Sequence, residues 1–357
     1  MYKKRFNNLR RKMIQQGLDQ LVLSYPSNIY YLTGQWLNPG RRLIVLIISQ
    51  NDAKLVVNQL VPVLPMDDVE VVFHSDWDDW INAVAVHIGN TGTVGLDMEW
   101  QVGFTFALME LKSTVKFVDG SNAINSLRMI KDETEIALMR ASSRANDVCI
   151  KELIEGISPD LSEAELADHL YDIADKAGTD GYKGKTVLSY GVNAVNAHHT
   201  ADSTRLKAGD NIVMDIGFGY KRYRSDMTRT VFYKKPSPLM KRVYEVVLKS
   251  QLAAIEAVRP GVALGMIDKV SRDIIKQEGF GQYFVHRTGH CIGLDVHEPP
   301  YVVGGNAMAI KPGMIFSIEP GVYIPGEGGV RIEDLVLATP EGYEVLNHYT
   351  KEMQVLF

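Results

Sequence analysis

The stretch Val213–Val231 reads VMDIGFGYKRYRSDMTRTV. Its first residues point alternately to the two faces of an extended chain and are mostly apolar, which predicts a strand with Asp215 inside it. A loop tip near Tyr220–Lys221 would fold the stretch into a hairpin in which Asp215 and Asp226 face each other on one side. Two facing carboxylates repel, and burying either one alone is unfavourable, whereas a metal cation between them removes the conflict. The alternative is that both acids are solvent-exposed residues of an edge hairpin.

Two further segments each carry a glutamate within an otherwise apolar strand. MIFSIEPGVYI (Met314–Ile324) holds Glu319, and GVRIEDLVLAT (Gly329–Thr339) holds Glu333. The glycine-rich linker between them predicts a reversing loop that brings the two glutamates together. A strand glutamate among apolar residues is rare without a partner. An ion pair with Arg331 is the alternative, and it would explain only one of the two acids.

Histidines cluster in the segment HRTGHCIGLDVHEPP, which contains His286, His290 and His297. Its glycines argue against one continuous helix, so this is not the helical two-histidine zinc motif of metalloproteases. The earlier segment NAVNAHHTADS adds His198 and His199. Because neighbours on an extended chain point to opposite sides, we expect at most one of these two to face a site.

Two aspartates, two glutamates and at least one histidine form an oxygen-rich set of ligands. Four carboxylates carry about four negative charges, which two divalent ions would nearly balance and a single Zn²⁺ would leave in excess. Two ions roughly 3.5–4 Å apart are a known means of making hydroxide and clamping a tetrahedral intermediate. Oxygen-dominated ligation favours Mn²⁺, with Co²⁺, Zn²⁺ or Fe²⁺ as alternatives.

A chain of 357 residues predicts two domains. Short strands rich in Val and Ile, separated by helical stretches, predict a small α/β domain at residues 1–124. Residues 125–357 begin with helices that start at capping boxes, Asp132 with Glu135 and a second at Ser162. A weak similarity between residues 156–178 and 261–279 suggests a pseudo-twofold unit with a site between its halves. The fold class is therefore α/β, or α+β.

The composition argues against several classes of function. Apolar residues make up 46% and charged residues 23%, as in a soluble globular protein. The net charge of -5, without a block of like charges, argues against nucleic acid or a membrane as partner. The basic N-terminal stretch lacks the apolar core of a signal peptide, and no window approaches a membrane span. Two cysteines fit a reducing compartment, so we expect a cytoplasmic protein.

Together these motifs resemble the pita-bread metallopeptidases, and within them the Xaa-Pro dipeptidase (prolidase) and Xaa-Pro aminopeptidase branch. The resemblance is carried by the two aspartates in D-x-G and S-D-x-T-R-T, by HRTGHCIGLDVHE, and by SIEPGVY and GVRIED. PSNIYYLTG (Pro26–Gly34) resembles the N-terminal domain of that branch, and SLRMIKDETEI (Ser126–Ile136) the start of its catalytic domain. The resemblance implies a creatinase-like α/β domain followed by a pita-bread catalytic domain.

By position, the resemblance implies that the metal ligands are Asp215, Asp226, His290, Glu319 and Glu333. Asp215 would chelate one of two ions, while Asp226 and Glu333 would bridge both. His290 and Glu319 would complete the other site. The implied reaction is attack of a metal-bridging hydroxide on the carbonyl of an Xaa-Pro bond in a small peptide with proline at its second position.

The resemblance also implies roles for residues around the ligands. Glu319 would serve as general base and proton shuttle, and His198 and His297 would bind the scissile carbonyl and stabilise the oxyanion. His286 would belong to the outer substrate pocket, and Arg331 would support the metal ligands. The N-terminal domain would limit substrate length within a homodimer.

The sequence leaves the exact activity open between dipeptidase and aminopeptidase. Human-type prolidases recognise the carboxylate of a dipeptide with an arginine upstream of the glutamate strand, but Tyr301–Ser317 contains no arginine, only Lys311. An Xaa-Pro aminopeptidase that acts on longer peptides is therefore the main alternative to a dipeptidase. Methionine aminopeptidases usually lack the N-terminal domain, and creatinase-like hydrolases have lost the metal ligands. A non-catalytic pita-bread binding protein, a remote alternative, would typically have lost ligands too.

Overall fold

The computed structural model describes residues 1–38, 40, 42–181 and 186–357. The chain divides into two compact units, Met1–Arg128 and Met129–Phe357. The boundary expected after residue 124 lies within the last helix of the first unit, Ser121–Arg128. Within the described ranges, none of the helices combines the length and the apolar character that crossing a bilayer requires.

The first unit is a mixed α/β fold built on one sheet. Its strands are β1 (Gln20–Leu23), β2 (Val45–Ile48), β3 (Ala53–Asn58), β4 (Glu70–His74), β5 (Thr93–Leu96) and β6 (Lys116–Asp119). Its helices are α1 (Tyr2–Gln15), α2 (Pro26–Thr33), α3 (Trp80–Ala85), α4 (Val102–Leu111) and α5 (Ser121–Arg128). The strand order is β4-β3-β2-β1-β5-β6, with β2 antiparallel to both neighbours and the other pairs parallel. The α/β class expected for this region is confirmed.

The helical spacing of apolar residues explains how α1 joins this unit. Phe6, Leu9 and Met13 are buried on one face of α1, while Arg11 between them is exposed and Arg10 and Lys12 are half-buried. The chain leaves the helix at Gly17, whose φ of 66° suits glycine. This amphipathic pattern confirms that the basic N-terminal stretch is a packed helix.

The second unit contains the remaining helices and strands. Its helices are α6 (Glu133–Glu155), α7 (Glu163–Lys176), α8 (Pro238–Glu256) and α9 (Leu264–Gln277), with 3-10 turns at Gly191–Val195 and Gly281–Tyr283. Its strands are β7 (Val187–Tyr190), β8 (Asn211–Ile216), β9 (Gly219–Tyr220), β10 (Tyr223–Arg224), β11 (Met227–Tyr233), β12 (Gly289–Cys291), β13 (Glu298–Val302), β14 (Ile315–Ile318), β15 (Gly321–Ile324), β16 (Gly328–Arg331), β17 (Asp334–Ala338), β18 (Tyr343–Val345) and β19 (Val355–Leu356).

Two sheets and two hairpins carry the site of the second unit. One sheet has the order β19-β11-β8-β7 and the other the order β13-β12-β14-β17-β18. β9 pairs with β10 and β15 pairs with β16. The strands that bear the predicted acids are almost entirely buried, which is why an acid among them needs a partner.

Capping residues set the starts of the long helices, as the sequence predicts. Asp132 and Ser162 accept the N3 backbone N–H and form complete capping boxes with Glu135 and Glu165. Ser237 caps α8, which continues through Pro238 at its first turn. α6 packs on α7, and α8 packs on α9, so each of the two similar segments, residues 156–178 and 261–279, holds a helix that packs on the helix before it.

Candidate metal centre and active-site cavity

The residues assigned to the site from five separate stretches of sequence line one cavity of the second unit, with a volume of about 670 Å³. Its lining includes the expected ligands Asp215, Asp226, His290, Glu319 and Glu333, and around them His198, His286, His297 and Arg331. β8 and β12 carry one ligand each, while the other three ligands lie where a strand begins or ends. The side chains therefore converge at the edges of several strands.

Asp215 and Asp226 share one side of their hairpin but are not directly opposite each other. The antiparallel register of β8 and β11 places Thr228 opposite Asp215. The turn is at Lys221–Arg222, whose positive φ values of 49° and 72° are those of a two-residue hairpin turn. The expected tip at Tyr220–Lys221 was wrong by one residue. Because moving the tip by one residue moves the register by two, each side chain keeps its face, and both aspartates line the cavity.

Asp226, His290 and Glu333 form a compact group of potential metal ligands in the cavity. Each offers a ligand atom, and these atoms all lie within 4.8 Å of one another. His290 Nε2 is 3.7 Å from Asp226 Oδ2 and 3.2 Å from Glu319 Oε1. His290 Nδ1 lies 3.1 Å from the carbonyl oxygen of Cys291, which can only accept, so Nδ1 carries the proton. Nε2 is thus the ring nitrogen that faces the acids.

One carboxylate oxygen of Glu333 is held and the other is left without a partner. Thr228 Oγ1 donates to Glu333 Oε2 at 2.7 Å, and the Glu333 N–H donates to the Thr228 carbonyl at 3.1 Å. Glu333 Oε1 is buried and has no hydrogen-bond partner among the described residues. Burial, together with the charges of Asp226, Glu319 and Asp215, raises the pKa of Glu333 well above its usual range.

The pKa values of the two acids beside His290 shift in opposite directions. Burial and the charges of Asp215 and Glu319 raise the pKa of Asp226 well above its usual range. Burial also opposes ionisation of Glu319, but the hydrogen bond and charge of His290 outweigh it and lower the pKa of Glu319 to about 2. Ser317 Oγ donates to Glu319 Oε1 at 3.1 Å and accepts the His290 N–H at 3.0 Å. Ser317 therefore holds the carboxylate of Glu319 and the backbone of His290.

These features fit a divalent cation. Carboxylates crowded in a buried space repel one another, and burial together with this repulsion raises the pKa values of Asp226 and Glu333. A cation among the oxygens would remove the repulsion and give Glu333 Oε1 the partner it lacks. Several carboxylates and one imidazole are the donors that hard or borderline divalent ions take in proteins.

Arg331 forms its ion pair with Asp215 rather than with either glutamate. Its NH2 group donates to Asp215 Oδ2 at 2.6 Å, its NH1 group to the Tyr323 hydroxyl at 2.7 Å, and its Nε to Thr228 Oγ1 at 3.1 Å. The alternative ion pair weighed from the sequence is therefore wrong. The buried guanidinium of Arg331 therefore links Asp215 to Thr228, and Thr228 in turn donates a hydrogen bond to Glu333.

A chain of hydrogen bonds continues from Arg331 to the cavity wall. The Tyr323 hydroxyl accepts from Arg331 and lies 2.8 Å from His286 Nε2. His286 Nδ1 lies 2.7 Å from the Arg287 carbonyl oxygen, so Nδ1 is protonated and Nε2 accepts from Tyr323. Burial lowers the pKa of His286, which favours this neutral form, and burial raises the pKa of Tyr323 to about 12.

His198 and His199 point in different directions, as expected, although they lie at a turn closed by the His199 N–H on the Asn196 carbonyl and not on an extended strand. His198 lines the cavity, whereas His199 Nε2 lies 2.7 Å from Glu163 Oε2. Glu163 also accepts the N–H groups of Tyr190 at 2.6 Å and Asp202 at 3.1 Å. Glu163 is thus satisfied by hydrogen bonds, and it anchors the loop that carries His198.

His297 lies beside the predicted metal ligands. Its ring meets that of His290 edge-on, with 4.2 Å between the centroids. Partial desolvation and the charges of His290 and Arg287 lower the pKa of His297 to about 4, so its ring is neutral near pH 7. The next residue, Glu298, is buried and pairs with Lys131 at 3.2 Å, which anchors this segment.

Sequence reasoning missed three residues that hold the site together. Thr228 and Ser317 each lie two positions from a predicted ligand on the same strand, so strand alternation could have indicated them. Tyr323 left no such signal. It reaches Arg331 because β15 and β16 pair, and it reaches His286 only through the tertiary fold.

Comparisons with known proteins agree with this arrangement. Residues 137–340 match metallopeptidase family M24, and residues 5–130 match the creatinase/prolidase N-terminal domain. An uncharacterized peptidase of Staphylococcus aureus is 34% identical over 350 residues, covering 94% of this chain and 96% of that protein. The prolidase of Thermococcus sibiricus is 32% identical with a TM-score of 0.94, over 100% of this chain and 99% of that one. A dipeptidase of Pyrococcus horikoshii is 31% identical with a TM-score of 0.92, over 99% and 100%.

The fold and the cavity together define an enzyme of the metallopeptidase class, in which divalent metal ions take part. The chain belongs to metallopeptidase family M24, with a creatinase-like domain ahead of its catalytic domain. The resemblance to the pita-bread peptidases drawn from the sequence motifs is confirmed.

Proposed function

We propose that this chain is a two-metal peptidase that hydrolyses Xaa-Pro bonds, acting as an Xaa-Pro dipeptidase. The observation that carries the proposal is the convergence of four carboxylates and His290 on one cavity, in which Glu333 Oε1 finds no hydrogen-bond partner among the described residues. Four carboxylates match the charge of two divalent ions better than that of one. The similar solved structures include a prolidase and a dipeptidase, which supports the substrate class.

The proposed ligands divide between two ions. Asp215, Asp226, His290, Glu319 and Glu333, which all line the cavity, would together hold the two ions. Mn²⁺ is the proposed metal because oxygen donors dominate, with Co²⁺, Zn²⁺ or Fe²⁺ as alternatives. Arg331 and Thr228 position these ligands, since Arg331 donates a hydrogen bond to Asp215 and Thr228 donates one to Glu333.

When bound, the ions would supply Lewis acidity to the scissile carbonyl and to the water that attacks it. Glu319 is the proposed general base, because its carboxylate lines the cavity beside His290, where it could accept a proton from the attacking water. His297 is the proposed hydrogen-bond donor to the developing oxyanion, since its neutral ring can donate from the cavity wall. His198, which also lines the cavity, is proposed to share this role, and His286 to contribute to the substrate pocket.

A proline at the second position requires a dedicated site. The Xaa-Pro bond lacks an N–H group and the ring fixes φ, so a general peptide-binding groove would fit it poorly. The alternative activity, removal of the first residue from longer Xaa-Pro peptides, needs the same ligands and differs only in what the cavity accepts beyond proline. Comparing the hydrolysis of Xaa-Pro dipeptides with that of longer Xaa-Pro peptides therefore distinguishes the dipeptidase from the aminopeptidase activity.

Three further features are proposed for the whole protein. The N-terminal domain limits substrate length within a homodimer, which the match to a creatinase/prolidase N-terminal domain supports. The protein works in the cytoplasm, a proposal supported by the two free, buried cysteines Cys149 and Cys291. Its partners are small peptides, with neither nucleic acid nor a membrane among them, in keeping with a net charge of -5.

The proposal is tested with protein stripped by a chelator and reloaded with Mn²⁺. Metal analysis should find close to two ions per chain, and the reloaded protein should cleave an Xaa-Pro dipeptide faster than an Xaa-Ala dipeptide or an Xaa-Pro tripeptide. Glu319→Gln should abolish turnover, whereas the exposed Glu327→Gln should not. Cleavage of the Xaa-Ala dipeptide as fast as the Xaa-Pro dipeptide, or a single bound ion in active protein, would contradict the proposal.

A further inference from the structure

The loop that carries His198 runs from β7 to β8 and is held by one buried carboxylate, that of Glu163. Glu163 is the first residue of α7, and its side chain has 0% of its surface exposed. An acid at the N-terminus of a helix is favourable, but a carboxylate removed from water also needs hydrogen bonds to its oxygens. The loop supplies these hydrogen bonds.

Four donors between residues 190 and 202 converge on the two oxygens of Glu163. Oε1 accepts the Tyr190 N–H at 2.6 Å and a side-chain N–H of Asn193 at 3.0 Å. Oε2 accepts the Asp202 N–H at 3.1 Å and lies 2.7 Å from His199 Nε2. Backbone and amide N–H groups can only donate, so both oxygens act as acceptors.

His199 provides the side-chain contact in the middle of this loop. Its Nε2 carries a proton, because an unprotonated ring nitrogen there would face a carboxylate oxygen and repel it. Its side chain is mostly buried, with 14% exposed. The contact is a charge-assisted hydrogen bond, which is stronger than one between neutral groups. His199 thus fastens the loop to the start of α7.

The backbone around the two histidines forms one tight turn, so holding His199 also restricts His198. The His199 N–H donates to the Asn196 carbonyl at 3.0 Å, and the His198 N–H donates to the Asn196 side-chain oxygen at 3.0 Å. Asn196 therefore closes the turn with two hydrogen bonds. With the His199 ring held at Glu163, the His198 side chain leaves the turn in a different direction and lines the cavity.

We propose that Glu163 and His199 are positioning residues that hold the His198 ring where it can donate to the developing oxyanion. The inference rests on the proposed function, which gives His198 that role. Both positioning residues lie outside the described lining of the cavity, so they act through the loop. Displacement of a catalytic group by about 1 Å can lower the rate on the order of 100-fold, so the pair should matter for turnover.

A second metal site is the other interpretation of this cluster, because ligand atoms of Glu163, His199 and Asp202 lie within 4.8 Å of one another. The hydrogen bonds argue against it. Both oxygens of Glu163 already accept from protein donors, and a metal ion would leave buried N–H groups without their acceptor. Positioning of the loop is therefore the role that fits these contacts.

The test compares kcat and KM of Mn²⁺-loaded variants on an Xaa-Pro dipeptide. His199→Leu should lower kcat by roughly 10- to 100-fold and change KM by less than about threefold, because a displaced His198 no longer meets the oxyanion. His199→Gln keeps an N–H donor that can reach Glu163 and should recover most of the rate. His169→Leu, at an exposed histidine of α7, is the matched control and should leave both constants unchanged.

A double-mutant cycle separates positioning from a general effect on the fold. In a His198→Ala background, His199→Leu should lower kcat by less than about threefold further, because the ring to be positioned is already gone. A merely structural role would lower kcat by the same factor in both backgrounds. If His199→Leu does not fold, His199→Asn takes its place, because its side chain is too short to reach Glu163.

Hydrogen exchange provides a readout that needs neither metal nor turnover. The Tyr190 and Asp202 N–H groups both donate to Glu163, so Glu163→Gln and His199→Leu should speed exchange of the amides between residues 190 and 204. His169→Leu should leave that exchange unchanged. The metal content of each variant should match that of the wild type, since the described contacts of the pair include none of the proposed metal ligands.

The outcomes separate this inference from the proposed function. A loss of kcat that depends on His198, is recovered by His199→Gln and is absent in the control supports the inference. Equal losses in the two backgrounds, a glutamine variant as slow as the leucine variant, or unchanged exchange in His199→Leu would overturn it. A wild type that binds metal but cleaves no Xaa-Pro dipeptide refutes the proposed function itself, whereas these results in an active wild type refute only the role of the pair.

Discussion

Glu333→Gln should stabilise the metal-free protein and remove its response to metal. Glu333 Oε1 is buried with no hydrogen-bond partner in the described part of the chain, and burial together with nearby acids raises the pKa of the group. Glutamine has the same shape, keeps an oxygen for the Thr228 hydroxyl, and offers an NH₂ group to the acids that repel the carboxylate. The same substitution takes a charge away from the metal site, so the two effects have opposite signs.

The expected magnitudes follow from burial and from linkage. An unsatisfied buried polar group costs about 1–3 kcal/mol, so Glu333→Gln should raise the free energy of unfolding of the chelated protein by about that amount. For a unit the size of Met129–Phe357, this corresponds to a rise in Tm of about 2–12 °C. Metal at 100 times its Kd stabilises the wild type by about 2.7 kcal/mol, and the variant should lose most of this gain.

The assay is thermal unfolding of wild type and Glu333→Gln, each with chelator and with Mn²⁺, at pH 6 and pH 8. A carboxyl whose folded pKa is raised makes the folded protein bind more protons than the unfolded one above about pH 4, so this contribution to stability falls as pH rises. The advantage of the variant over the wild type should therefore be larger at pH 8. Glu327→Gln, an exposed neighbour in the preceding loop, is the control and should change neither quantity. A chelated Glu333→Gln protein less stable than wild type would refute this reasoning.

Three more predictions concern the same cavity. Thr228→Val should weaken Mn²⁺ binding by roughly 10- to 100-fold in a chelator competition, because the hydroxyl that orients Glu333 is lost, while Thr228→Ser should stay near wild type. Calorimetry in buffers of different ionisation enthalpy should find protons released on metal binding and weaker binding at pH 6 than at pH 8, since the raised pKa values of Asp226 and Glu333 make protons compete with metal; no proton release would count against it. His297→Ala should keep its metal and lose most of its turnover in the Xaa-Pro assay, and full activity would remove its proposed role.

Much of the metal site could be read from local patterns. Asp215, Glu319 and Glu333 stand out because an acid within or at the end of an apolar strand needs a compensating partner. The prediction that both aspartates of the hairpin share one face was correct although the predicted turn was one residue off. The two-residue period of a strand keeps each side chain on its face when the register moves by two. The choice between His198 and His199 did not follow from this rule, because both lie at a turn, and which one faces the cavity depended on where Glu163 lies.

Residues that act through long-range contacts could not be read in this way. Arg331 has acids on both sides in the sequence, yet it pairs with Asp215, more than a hundred positions earlier, because β8, β11 and β16 meet in the fold. Tyr323 looks like an ordinary strand residue, and Glu163 like an ordinary acid of a first helical turn, until their neighbours are known. A single sequence records the residue types but not the distances on which these ion pairs and hydrogen bonds depend.

The sequence by itself indicated the class of the protein through the resemblance of its motifs to the pita-bread metallopeptidases. The two-residue periodicity of strands and the capping residues of helices, which are local properties, marked the buried acids and the helix starts. The sequence also determined the ligand types, since charge and hardness depend on residue identity alone. Only the tertiary structure decided which oxygen of Glu333 lacks a hydrogen-bond partner among the described residues, which acid Arg331 neutralises, and which of the two neighbouring histidines faces the cavity. These facts depend on distances of a few ångströms between segments far apart in the chain, and electrostatic and hydrogen-bond energies are decided at those distances.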